Sequence, residues 1–170
     1  MTYVEGRPAL DADSHLMELP GFLDPFIEAS MVERLRGREM ARVAPLLDSA
    51  TAAAERRRRD AEARAEAEAR LLLDKGWSAM GAFDPAERSE VVDLLGVDGQ
   101  LVFATFAASM FMGRDQELLY AGSAAHNRAV AAFCEGDPRL LPVAFVPLDD
   151  TERAVALLTE AIDLGCAAVH

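Results

Sequence analysis

Three side chains able to hold a cation or move a proton recur at alternate positions in Leu10-Asp11-Ala12-Asp13-Ser14-His15-Leu16. As a β-strand, this segment sends Asp11, Asp13 and His15 to one face and Leu10, Ala12, Ser14 and Leu16 to the other. Two carboxylates and an imidazole are costly to bury unpaired, so that face must meet water, an opposite charge or a cation. Spacing leaves two readings open. Asp13-x-His15 is a pair of ligands for a divalent metal, or it is the solvated face of an edge strand with a local Asp–His hydrogen bond. The pair closes the first strand-like segment, where α/β folds place their active sites.

The rest of the chain supplies elements to carry such a site. Asp84-Pro85-Ala86-Glu87 combines a capping Asp, a Pro at the first helical position and a Glu spaced to reach back, which predicts a helix to about Leu95 ended by Gly96. Residues 100–106 and 140–146 have the length and apolar content of buried strands, with an amphipathic helix over 116–135 between them. Asp149 and Asp150 open a further helix with Val155, Leu158 and Ile162 at helical spacing; Gly165 stops it, and residues 166–169 begin a fourth strand that ends at His170. Alternation of this kind implies parallel strands with right-handed crossovers.

Residues 31–75 interrupt the alternation with helical composition and few large apolar side chains, and are expected to be an insertion. Between 51 and 75, seven basic residues (Arg56, Arg57, Arg58, Arg59, Arg64, Arg70, Lys75) face six acidic ones (Glu55, Asp60, Glu62, Glu66, Glu68, Asp74). The near balance favours a solvated, self-paired surface helix over a nucleic-acid contact, despite four consecutive arginines.

With 170 residues, 51% of them hydrophobic, the chain can bury one sizeable core, so a single domain over 1–170 is expected. A net charge of −12 disfavours nonspecific binding to nucleic acid or an anionic membrane. No signal-peptide pattern opens the chain and no apolar run reaches the roughly 20 residues of a membrane span, so a cytoplasmic location is expected. Cys134 and Cys166 lack CxxC spacing and are expected to behave as small buried hydrophobes.

Four segments, DADSHLMELP (11–20), GAFDPAER (81–88), AHNRAVAAFCEGDPR (125–139) and VAFVPLD (143–149), occur in this order. Together they resemble the N-terminal half of the amidohydrolase-related metal-dependent hydrolases, a family that includes nonoxidative decarboxylases of aromatic and related carboxylic acids. The resemblance implies a (β/α)8 barrel, of which this chain would form about the first four βα units. It also implies a divalent metal, commonly zinc or manganese, held at the end of the first strand by an acid-x-His pair. Asp13 and His15 occupy those positions. The family's other ligands, a His after the fifth strand and an Asp after the eighth, and a catalytic His after the sixth, would lie beyond residue 170. An incomplete barrel that binds metal weakly is therefore expected, since stable sites use three or four ligands.

Further polar positions carry two readings each. Thr105 and His170 end the second and fourth strands and are candidate substrate contacts, against rim packing for Thr105 and a frayed terminus for His170. Glu18 is a third candidate, against helix capping or a loop salt bridge; here Leu19 separates it from Pro20, unlike the family pattern. Asp11 would lie one layer deeper as a structural residue. His126, where the family commonly has Tyr, is expected to be a packed or half-exposed helix residue, and Asp24, Asp149 and Asp150 to serve turns and caps.

The expected function is the N-terminal portion of a metal-dependent enzyme that hydrolyses or decarboxylates a small carboxylated substrate, inactive as this chain alone. The alternatives are a noncatalytic fragment that associates with another copy or another chain through open sheet edges, and an interaction module using the arginine-bearing helix.

Overall fold

The computed structural model describes residues 4, 6–35, 44–113 and 115–170. Four parallel strands, β1 (Leu10–Leu16), β2 (Gly99–Ala104), β3 (Leu140–Ala144) and β4 (Ala168–Val169), pair in the order in which they occur in the chain. Seven helices among the described residues connect them: α1 (Ala29–Leu35), α2 (Ala44–Arg59), α3 (Ala61–Ala69), α4 (Pro85–Leu95), α5 (Ala107–Phe111), α6 (Gln116–Cys134) and α7 (Thr151–Asp163). The class is α/β, as the alternation predicts. No described helix is long and apolar enough to cross a membrane.

Local chemistry explains the boundaries. Asp84 Oδ1 accepts hydrogen bonds from the Ala86 and Glu87 amides, Pro85 begins α4, and Gly96 closes it with φ of 72°. Asp115 and Asp150 cap α6 and α7 in the same manner. Asp60 breaks what composition reads as one helix into α2 and α3, because its side chain accepts from the Glu62 and Ala63 amides.

The helices α4 and α6 cover one face of the sheet. Val92 of α4 and Val130, Phe133 and Cys134 of α6 pack on Leu16, Val102 and Leu140. A second cluster joins Leu23, Leu35, Phe111, Leu118, Ala125 and Leu157. Burial pushes the Cys134 thiol up to about 12, so it behaves as the expected hydrophobe, whereas Cys166 is only half-buried.

Two segments depart from expectation. In α7 the buried stripe is Ala154, Leu157 and Ala161, while Val155 and Ile162 are 60% and 64% exposed. Small residues let that helix sit close, and the larger ones at neighbouring positions turn outward.

The arginine-bearing helix also has more to bury than its composition suggests. Leu47, Ala50, Ala54 and Arg57 form a stripe on α2 at helical spacing, and all are buried. Arg57 makes a two-pronged pair with Glu87, its Nε and Nη2 each 2.8 Å from a carboxylate oxygen. Arg58 pairs with Asp84. Glu87 therefore does not reach back as a capping box; its Oε2 instead accepts from the Gly81 amide at 3.1 Å. Only the outer ion pairs, such as Arg56–Asp60 and Arg64–Glu68, match the self-paired surface helix.

Removing Arg57 leaves a buried carboxylate without its counter-charge. Arg57→Ala is expected to lower unfolding free energy by about 3 to 5 kcal/mol in urea titration. A loss below about 1 kcal/mol would place the pair in solvent.

Candidate functional site

β1 is not a simple alternating strand. Asp11 pairs with Gln100 and Ser14 with Val102, so three steps along β1 match two along β2 and a bulge lies between Asp11 and Ser14. Paired residues share a face, which sets Asp11 with Gln100, Ser14 and Val102 on the helix-covered side, away from His15. Its carboxylate accepts from the Gln100 amide group at 3.1 Å and from the Asp13 backbone amide at 3.1 Å. The three-residue face read from the sequence is thus reduced to Asp13 and His15, and Asp11 is structural.

Asp13 and His15 stand at the C-terminal end of β1 with side chains 87% and 45% exposed. Thr105, directly after β2, lies beside the imidazole. Its Oγ1 donates to the Leu16 carbonyl at 2.7 Å and sits 3.3 Å from His15 Nδ1. On the other side of the ring Nε2 lies 3.2 Å from Asp13 Oδ1. Because a carboxylate only accepts, that contact is a hydrogen bond when Nε2 carries the proton, the local Asp–His bond that is one of the two readings of the sequence. A cation bound there would take the place of that proton, with the Nδ1 proton then facing the Thr105 hydroxyl.

Aromatic rings floor the site. His15 stacks on Phe103 with centroids 5.5 Å apart, and His170 meets Phe103 and Phe145 edge-on at 5.7 and 5.2 Å. His170 is also tied into the sheet: its amide donates to the Ala144 carbonyl and its carbonyl accepts from the Val146 amide. Burial first, and the charge of His15 second, hold the His170 imidazole below its ordinary range. Thr105 and His170 therefore reach the same end of the sheet as the Asp13–His15 pair.

Glu18 behaves differently. It is buried, and its Oε1 accepts from the Phe106 and Ala107 amides at 2.7 and 2.6 Å, so it caps α5. Its Oε2 is buried without a hydrogen-bond partner among the described residues. The Trp77 indole donates to the Glu18 carbonyl and stacks on Phe106 at 5.2 Å, which pins the loop after β1 to the loop after β2.

Two residues not singled out as site residues by the sequence support this end. His126 on α6 is buried, the packed one of its two expected placements, donates from Nδ1 to Asn127 Oδ1, and lies 6.4 Å from the His170 ring. Arg88 on α4 is 6% exposed and bonds to Ser14 Oγ and the His15 carbonyl. Arg88 closes the GAFDPAER segment, yet nothing in the sequence marks it as buried, because a lone arginine in an amphipathic helix ordinarily faces water. Among the described residues no group of three or more His, Cys, Asp and Glu is placed to hold a metal ion. Asp13 and His15 fit as two ligands of such an ion, and no third comes from the described chain.

Burial lowers the His126 pKa from 6.5 to about 4. The unfolded chain takes up this proton before the folded one does, so the stability involved is present above pH about 6.5 and lost as pH falls to about 4. Urea midpoints across that window are expected to show a decline of order 3 kcal/mol that shrinks in His126→Gln; an equal slope in the variant would remove His126 as its source.

Compared with known proteins, the chain matches no family model, and no curated protein matches it significantly.

Proposed function

We propose that the chain carries the first-strand metal-binding pair of a metal-dependent hydrolase or nonoxidative decarboxylase of the amidohydrolase-related kind, acting on a small carboxylated substrate. The observation that supports this most is the hydrogen-bond arrangement around His15. Nε2 adjoins the Asp13 carboxylate, and the Thr105 hydroxyl oxygen beside Nδ1 would accept that nitrogen's proton once a metal took the place of the Nε2 proton. A metal-binding imidazole is ordinarily held through its other nitrogen in this manner. The strand order β1-β2-β3-β4 adds support, being the winding of a (β/α)8 barrel, whereas a doubly wound sheet reverses its order at a switch point.

Asp13 and His15 would hold a divalent ion such as zinc or manganese. Bound there, the ion would supply a Lewis acid for activating water or orienting a substrate carboxylate. Thr105 fixes the imidazole, and His170 lines the same mouth as a neutral, partly buried ring available to a substrate oxygen. With two protein ligands, binding by this chain is weak.

A second reading, association of a noncatalytic chain through sheet edges, draws on different observations. β1 and β4 end the sheet, and Leu148, Val155, Ile162 and Val169 nearby are exposed. Light scattering on the purified protein separates it, because a well-folded monomer contradicts association. The arginine-helix reading has less support, since Arg57 is buried against Glu87 and Arg56 and Arg58 each pair with a carboxylate, while Arg59 is exposed.

Calorimetric titration with zinc tests the first reading. Wild-type protein is expected to bind zinc, His15→Ala to lose binding, and Thr105→Val to weaken it about tenfold to a hundredfold. Equal uptake by wild type and His15→Ala, or none by wild type, would sink it.

A further inference from the structure

We propose that Arg88 is the positioning residue of the Asp13–His15 pair; its functional meaning rests on the metal reading above, while its geometry does not. The guanidinium is buried, and among the described residues no carboxylate lies within ion-pair distance of it. Such a group is costly to keep out of water. Its donors go instead to three neutral acceptors: Nε to the Gly81 carbonyl at 2.7 Å, Nη1 to Ser14 Oγ at 2.7 Å and Nη2 to the His15 carbonyl at 2.8 Å. Phe133 packs its ring under the guanidinium at 5.9 Å.

Two of those three bonds grip the last turn of β1 from behind. Ser14 faces the helices while the His15 ring points to the opposite side, so Arg88 fixes the peptide plane from which the imidazole projects. The ring's reach to Thr105 and Asp13 depends on that plane, and ligand geometry tolerates only about half an ångström of error. The third bond anchors the grip. Gly81 is held at φ of 70°, and a Cβ there would lie 2.8 Å from Arg88 Cα. Its amide donates to Glu87, which pairs with Arg57 of α2. A rigid support therefore runs from α2 through Glu87 and Gly81 to Arg88 and the backbone of His15.

The experiment reads the His15 tautomer by long-range proton–nitrogen correlation in metal-free protein with neutral imidazole, alongside zinc titration. Wild type is expected to show a single tautomer, Nε2–H, donated to Asp13. Arg88→Lys, keeping the charge but not the fork, is expected to give a mixture of tautomers and about tenfold to hundredfold weaker zinc binding. Leu140→Val, a core change away from the site, should move neither, and a shift there as large as in Arg88→Lys would reduce Arg88 to general stability and overturn the proposal. An unchanged tautomer and affinity in folded Arg88→Lys would also overturn it. Should Arg88→Lys fail to fold, Ser14→Ala removes one acceptor and is expected to give the mixed tautomer; an unchanged spectrum contradicts the proposal. If wild type binds no zinc, the metal reading fails, while a tautomer change in the variants still supports positioning by Arg88.

Discussion

Charge taken out of water must be matched where it lands, and in this protein that requirement ties α2 to the C-terminal end of β1. Arg57 and Glu87 neutralise each other under α2, Glu87 holds the Gly81 amide, and Gly81 accepts from Arg88. Each link is a charge-assisted hydrogen bond in a region of low polarisability, where losing one partner exposes the full desolvation cost of the other. The apolar clusters provide most of the burial, yet they are tolerant of sliding. The polar chain is directional, and it is what gives β1 one register and one orientation against α4.

The bulge lies beside this chain of bonds. Arg88 finds acceptors on the helix side of β1 in Ser14 Oγ and the His15 carbonyl, immediately after the extra residue between Asp11 and Ser14. The same extra residue turns Asp11 to the buried side, where Gln100 meets it. Asp13 and His15 are left together at the open edge, with Thr105 Oγ1 beside the imidazole Nδ1.

Much of the scaffold was legible in the sequence because it is written in local chemistry. Asp84 with Pro85, Gly96 and Asp150 mark helix ends by capping groups a few residues apart, and the parallel class follows from alternation. What stayed hidden depends on distant partners. A strict two-residue period could not reveal the bulge, and the arginine that bonds Ser14 just after it is 74 positions away. Composition called α2 solvated because Arg57 counts as polar, although its partner Glu87 lies 30 residues on. Asp13 and His15 were visible as a pair, while the placement of Thr105 beside His15 Nδ1 needed the β1–β2 register. Glu18 left capping open, and the fold brings it under the first amides of α5.

The central claim is that Nε2 of His15 and the Asp13 carboxylate together form a cation site held by Thr105. Paramagnetic broadening by added manganese ion addresses it most directly, through the backbone amide signals of the labelled protein. The account predicts that Asp13, His15 and Thr105 broaden first and that His15→Ala abolishes the effect. Broadening centred on the acidic surface elsewhere, or persisting unchanged in His15→Ala, would contradict it.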